Sequence, residues 1–442
     1  MSVRRDTLKE VFMKSEGSEF ASAISDNTSP ALIASVPDAG IAQGQRASLD
    51  ARMMRRMLEA MGQPPFRVSL WNGEEISFCD TPSQPRVLIR DRATLLLLLV
   101  DPAFRFGDAY AAGDIEVEGS LTQFIEAVYR AEAKMRSLGF IDHHRFSLLS
   151  RLRRNTLTRS RDNVQHHYDL GNAFYELWLD RRMLYTCAYF PTPDAGLEQA
   201  QVAKMDLVCR KLRLHPGETV VEAGCGWGAM ARHMARHYGV KVRAFNISRE
   251  QIEYARQRAC AEGLDSRVEY VEDDYRNIDG RYDAFVSIGM LEHVGRDHYG
   301  ELGNVIRRCL PEHGRGLIHT IGRNKPAPMQ PWIERRIFPG AYPPTLREMM
   351  EVFEPQGFSV LDVENLRLHY ARTLEHWLAR FEQASERIRQ MFDERFVRMW
   401  RLYLAGSAAA FNTGDMQLFQ ILFACPDNND VPLTRDHLHV GA

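Results

Sequence analysis

Across the second half of the chain, short apolar runs alternate with amphipathic stretches, and that rhythm predicts the architecture. VVEA (220–223), KVRAFN (241–246), RVEYVED (267–273), RYDAFVSIG (281–289) and RGLIHTIG (315–322) read as strands. Between them, GAMARHMARHYG, SREQIEYARQRACAEG and HYGELGNVIRRCL place apolar residues at helical spacing. Strands and helices alternating over short connections predict an α/β domain: a mostly parallel sheet with helices on both faces and right-handed crossovers. Ligands of such sheets lie at the carboxyl ends of the strands.

Earlier in the chain the texture differs. Residues 1–50 are rich in Ser, Ala, Gly and Asp with no sustained period, and read as a flexible arm. Residues 51–145 read as a small α+β domain. It opens on the basic amphipathic helix ARMMRRMLEAMG, continues through strand-like runs at FRVSLWNG, EISFCD and PRVLIRD, and ends on a strand and helix within AYAAGDIEVEGSLTQFIEAVYR. Residues 146–442 form the larger domain. Arg151, Arg153, Arg154, Arg159 and Arg161 cluster in the linker, either as a solvated connection or as a patch for anionic headgroups.

Composition narrows the classes. At 45% hydrophobic and 26% charged, with a formal charge of −2, the chain carries no global nucleic-acid signature. The longest apolar run, TLLLLLV (94–100), is too short to span a bilayer. Seven scattered cysteines without a CxxC pair, and no signal-peptide core, fit a reducing cytoplasm better than a disulfide framework or a zinc site. His233 and His237 lack the Glu of HExxH, and no metal is expected.

The chemistry begins at VVEAGCGWGAM (220–230), a strand that turns through Gly224, Gly226 and Gly228 into a helix. Such a turn lets backbone approach a nucleotide-like ligand closely. GCGWGA also satisfies the looser dinucleotide pattern, so an NAD-type ligand is one reading. Two residues tilt against it. Glu222 would repel a pyrophosphate but suits a cationic amino-acid ligand such as S-adenosylmethionine, and Asn246 stands where an NAD site wants an acid.

HHYDLGNAFYELWLDRRMLYTCAYF (166–190), EAGCGWG, NISREQ, DDYRNI, SIGMLEHVG, LIHTIG, LHYARTLEHW and FNTGDMQLFQILF together resemble the cyclopropane-fatty-acid synthases and the related mycolic acid methyltransferases. The resemblance covers about Asn163 to Phe423. It implies a Rossmann-like class I methyltransferase domain, with the small N-terminal domain similar to that of the branch acting on membrane phospholipids. The implied reaction moves the methyl of S-adenosylmethionine onto the double bond of an acyl chain, and the resulting cation closes to a ring when bound bicarbonate removes a proton. Carried over, the anion cage is Cys187, Glu292, His319, Ile321 and Tyr370. The cofactor residues are Tyr168, Tyr185, Thr186, Glu222, Gly224, Gly226, Asn246, Ile247, Gln251, Asp273 and Asp274. The family usually has Asp at Glu222, and Thr at the position of Asn246 beside Ile247.

A homodimer, and transient adsorption to the inner face of the membrane, are implied as well. Arg52, Arg55 and Arg56 beside Met53, Met54 and Met57 are the candidates for adsorption. FYELWL and MQPWIERRIFPG either line an acyl groove or pack the core. Rival readings are a methyl- or methylene-branched product, a small-molecule methyltransferase, and a non-catalytic lipid-binding protein.

Overall fold

The computed structural model describes residues 47–78, 84–137 and 170–438. Residues 1–46, the arginine cluster at 151–161 and Tyr168 lie outside the described residues. Ala47 onward forms one compact unit.

The small N-terminal region is built on four strands: β1 (Arg67–Leu70), β2 (Glu75–Ile76), β3 (Arg86–Ile89) and β4 (Ile115–Glu118), in the order β2-β1-β3-β4. Its helices start where the chemistry demands. Ser48, Asp91 and Asp101 each accept a backbone N–H of the following first turn. Met54, Leu58, Val68, Ile89, Leu95, Leu98 and Phe124 fill its core. The leucine run becomes the helix Arg92–Val100, which turns Leu95 and Leu98 inward and leaves Leu96, Leu97 and Val100 exposed.

The larger region holds seven strands: β5 (Thr219–Ala223), β6 (Lys241–Asn246), β7 (Val268–Glu272), β8 (Ala284–Ile288), β9 (Arg315–Gly322), β10 (Ser359–Asn365) and β11 (Gln417–Ala424), ordered β10-β11-β9-β8-β5-β6-β7. The pairs β5–β6, β6–β7, β5–β8 and β8–β9 are parallel. β11 runs antiparallel between β9 and β10. The five strands expected from the apolar runs are all present, and the sheet is mostly parallel. Alternation along the strands separates two cores. Val220, Val242, Ala244 and Val286 pack with Met230, Met234 and Ile252, while Val221, Phe245 and Phe285 pack with Leu302, Val305 and Ile306. The order reverses at β5, whose two neighbours β6 and β8 lead to opposite edges, and that reversal sets the crevice for a ligand.

A third core is aromatic. Phe174, Tyr175 and Trp178 are fully buried against Trp377 and Trp400 of the helices Arg367–Gln383 and Glu394–Thr413, so the FYELWL segment serves packing. MQPWIERRIFPG is likewise structural at its tryptophan. Trp332, 3% exposed, donates to Asp108 at 3.1 Å, and Arg336 grips the same carboxylate at 2.8 Å. Arg398 reaches Glu116 and the carbonyls of Tyr110 and Ile115. These contacts lock the small region to the large one.

Candidate active site

The glycine turn after β5 is held to β6 by Gly224 and Cys225, whose N–H groups donate to the Phe245 carbonyl at 2.9 and 3.0 Å. Gly224, Gly226 and Gly228 all have positive φ. At Gly228 a Cβ would sit 2.5 Å from the ring of Tyr270, whose hydroxyl donates to the Gly228 carbonyl at 2.8 Å, so no side chain fits there.

Around this turn lies an open pocket. Ten of the eleven expected cofactor residues line it: Tyr185, Thr186, Glu222, Gly224, Gly226, Asn246, Ile247, Gln251, Asp273 and Asp274. The eleventh is Tyr168. Asn246 spends its amide on Gln251 Oε1 at 2.7 Å and on the Gly226 carbonyl at 3.3 Å, which fixes the Gln251 side chain. Asp274 caps the turn at 275–277 by accepting from Arg276 N at 3.0 Å.

Two buried atoms of residues lining this pocket have no hydrogen-bond partner, the acceptor Glu222 Oε2 and the donor Gln251 Nε2. Buried polar atoms of this kind cost stability unless something pairs with them. They fit a ligand that brings an ammonium and a polar nucleoside, as S-adenosylmethionine does. Burial pushes the Glu222 carboxyl up to about 7, against the opposing pull of Lys204 and Arg232.

A carboxyl raised in the folded state stabilises the fold fully below its unfolded value near 4.5, and that contribution is lost as pH rises through 7. The Glu222→Gln variant lacks this loss. Urea unfolding without ligand is therefore expected to show the variant gaining on the order of 2 kcal/mol relative to the unsubstituted protein between pH 5 and pH 8. A pH-independent difference would contradict the assignment.

None of the expected anion-cage residues lines this pocket, though Cys187 follows its residue Thr186 and Glu292 lies beside its residue Gly289. Glu292 sits on the helical turn Leu291–Val294 after β8, is 5% exposed, and accepts from Thr320 Oγ1 at 2.8 Å. Burial raises its carboxyl to about 7. His319, 1% exposed, faces Gln420 directly across the β9–β11 pair, with Nδ1 and Gln420 Nε2 3.0 Å apart. Its Nε2 is buried and has no partner. Burial, with Lys204 and Lys211 nearby, holds the imidazole far below its ordinary pKa, so it is neutral.

Cys187 and Tyr370 meet at one carbonyl. The Leu366 oxygen accepts from Tyr370 N at 3.1 Å and lies 3.9 Å from Cys187 Sγ. Leu366 N in turn donates to Leu418, the register partner of Ile321. Burial raises the Cys187 thiol, which is no nucleophile here. Tyr370 packs edge-on against Trp377 and at a tilt against Phe411, within an aromatic wall that also holds Tyr185.

The junction of pocket and cage is Gly289. A Cβ there would lie 3.2 Å from Thr186 Cγ2 on the pocket side and 3.9 Å from Glu292 Oε1 on the cage side.

Sequence reasoning missed Lys204, Gln201, Thr320 and Gln420. A signal existed for one of them: QLFQILFA places Gln420 in a strand that is otherwise apolar beyond its first residue. The expected adsorption residues divide. Arg52, Arg55 and Arg56 lie toward solvent, but Met54 is buried and Met57 packs on the small core. No helix among the described residues is long and apolar enough to cross a membrane, and no group of three or more His, Cys, Asp or Glu among them could hold a metal.

Among solved structures, the chain is similar to the cyclopropane synthase MmaA2 from Mycobacterium tuberculosis, with a TM-score of 0.57 and 32% identity over 60% of this chain and 98% of that one. It is equally similar to the mycolic acid cyclopropane synthase CmaA1 complexed with SAH and CTAB, again at TM-score 0.57, 32% identity and the same coverage. The sheet, the glycine turn and the pocket thus define a class I S-adenosylmethionine-dependent methyltransferase. The family model described as mycolic acid cyclopropane synthetase matches residues 155–421, and the chain belongs to that family. A second model, a domain of unknown function, matches residues 53–137.

Three relatives bracket its likeness. A probable fatty acid methyltransferase of Pseudomonas putida is 36% identical over 85% of this chain and 96% of its own. The cyclopropane-fatty-acyl-phospholipid synthase of Escherichia coli K12 is 40% identical over 61% and 70%. The tuberculostearic acid methyltransferase UfaA1 of Mycobacterium tuberculosis is 31% identical over 92% and 98%.

Proposed function

We propose that this protein transfers the methyl of S-adenosylmethionine to the cis double bond of an unsaturated acyl chain in membrane phospholipid and closes a cyclopropane ring. The observation that carries this is the junction at Gly289, where a donor pocket ending at Thr186 adjoins buried Glu292. S-adenosylmethionine supplies an electrophilic methyl group. An alkene is a weak nucleophile, so rigid alignment of the two reactants is worth roughly 7–11 kcal/mol. Methyl addition leaves a carbocation on the acyl chain, and the aromatic wall of Tyr185, Tyr370 and Trp377 offers it π faces in a water-poor place.

Ring closure also needs the loss of one proton. Bicarbonate held beside His319 and Glu292 would supply a base, and the unpartnered His319 Nε2 fits a small anion. Glu292, poised near 7, takes or shares protons at neutral pH.

The second reading keeps methyl transfer but ends in a branched chain. It is favoured by the two fatty acid methyltransferases, which align with more of this chain than the phospholipid synthase does. Mass spectrometry decides between them. Unsaturated phospholipid vesicles incubated with the protein and S-adenosylmethionine are expected to yield acyl chains heavier by CH₂ that resist mild hydrogenation. Uptake of two hydrogens would support the branch. No mass gain would sink both readings.

Access to such a substrate requires adsorption. The helix Leu49–Ala60 carries Arg52, Arg55 and Arg56 toward solvent and is tied by an Asp50–Arg92 ion pair to the helix that exposes Leu96, Leu97 and Val100. Reversing the three arginines to Glu is expected to weaken cosedimentation with anionic vesicles by about 100-fold or more, at about 1 kcal/mol per basic residue. Unchanged binding would remove this surface from the proposal.

A further inference from the structure

The donor pocket holds one fully buried cation, Lys204. It lies on the helix Leu197–Leu212, has no exposed surface, and lines the pocket together with Thr186 and Glu222. Its Nζ donates to Thr186 Oγ1 at 3.0 Å. Among the described residues no carboxylate stands within ion-pair distance of it, and Asp180 and Glu222 act on it only at longer range. One turn earlier, Gln201 Nε2 donates to the Thr186 carbonyl at 2.9 Å. A single helix therefore grips Thr186 by its backbone and by its side chain.

This arrangement has a chemical consequence. A hydroxyl that accepts from an ammonium must turn its own proton elsewhere. Thr186 thus becomes a donor for an acceptor other than Lys204, backed by a positive charge. A buried ammonium without a counter-ion is costly, and placing it beside a cationic sulfonium ligand would be worse unless that ligand also brings an anion. The methyl donor brings one. Its amino-acid end carries an ammonium, for which Glu222 offers an unpartnered oxygen, and a carboxylate, which needs a hydrogen-bond donor of its own.

We propose that Lys204, acting through Thr186, recognises the carboxylate of the methyl donor, and that this pair sets a preference for nucleosides bearing an intact amino acid over decarboxylated ones. The inference rests on reading the pocket as the methyl-donor site. Lys204 is in this sense a positioning residue, with Thr186 making the contact. Burial draws the ammonium down to about 8, Asp180 and Glu222 opposing the shift, so the lysine is substantially charged at neutral pH.

The test is a calorimetric cycle on the full chain with two ligands, S-adenosylhomocysteine and its decarboxylated counterpart. The unsubstituted protein is expected to prefer the carboxylate-bearing ligand by about 10- to 100-fold, the range of a charge-assisted hydrogen bond. Lys204→Met and Thr186→Val should each lose most of that preference while binding the decarboxylated ligand about as well as before. A merely structural role would weaken both ligands alike and keep their ratio, and that outcome overturns the inference. Should Lys204→Met fail to fold, Thr186→Val alone decides. Failure of the unsubstituted protein to bind either nucleoside would instead overturn the pocket assignment itself, and this inference with it.

Discussion

Replacing Glu292 by glutamine is expected to lower kcat by about 10²- to 10⁴-fold, the usual worth of a positioned acid or base, with S-adenosylhomocysteine binding nearly unchanged. Glutamine keeps the shape of the side chain and can still accept from Thr320, so the surroundings stay in place. What it cannot do is take a proton. Because burial holds this carboxyl near 7, the ionised form gains through neutral pH, and kcat should rise with pH to a plateau above that value. The variant should lack that rise. The measurement is single-turnover product formation on unsaturated vesicles from about pH 6 to pH 9, bracketing that value, with ligand titration as the control. Near-normal turnover in the variant would remove Glu292 from proton handling, and a parallel loss of ligand binding would show that it supports the pocket instead.

Much of this site is legible in the sequence because its residues are attached to strong local signals. Glu222, Gly224 and Gly226 follow a run of apolar strand residues, and Asn246 closes the next strand, so the apolar pattern alone locates the crevice of the sheet. The cage residues are legible only through resemblance: Glu292, His319 and Tyr370 come from separate elements, and nothing in local spacing joins them. Strand register accounts only for His319, set opposite Gln420, and Ile321, set opposite Leu418, while Glu292 is tied to the same strand through Thr320. Lys204 is hidden for another reason. On a helix that also carries Arg210 and Lys211, one more lysine reads as solvated surface, and only the packing of Gln201 and Lys204 on the same inward face as Ala200 and Met205 marks it as buried. The helix of the leucine run shows the converse. The apolar stripe of the leucine run looks like core, but a helix buries only one side, and Leu96, Leu97 and Val100 are left over.

The same junction that supports the proposed reaction also makes a sharp prediction at a residue with no side chain. Gly289 has a φ of 70°, and its N–H donates to the His319 carbonyl at 2.8 Å, so its backbone cannot shift without disturbing β9. A methyl group there would press on Thr186 Cγ2 at 3.2 Å while approaching Glu292 Oε1 at 3.9 Å. Backbone strain alone costs roughly 1–2 kcal/mol for a residue forced into the left-handed region. A functional cost adds to this, because Thr186 must give way slightly in a reacting assembly where a full displacement on the order of 1 Å costs about 10²-fold in rate. Gly289→Ala is therefore expected to fold with a modest loss of stability and to turn over on the order of 10-fold more slowly. Gly263→Ala separates strain from contact, since Gly263 has a similar φ of 66° but nothing within 4 Å of the position its Cβ would take. That variant should lose comparable stability in urea and keep its kcat. If both variants lose turnover equally, strain rather than the meeting of Thr186 and Glu292 explains the effect, and the junction loses its place in the mechanism.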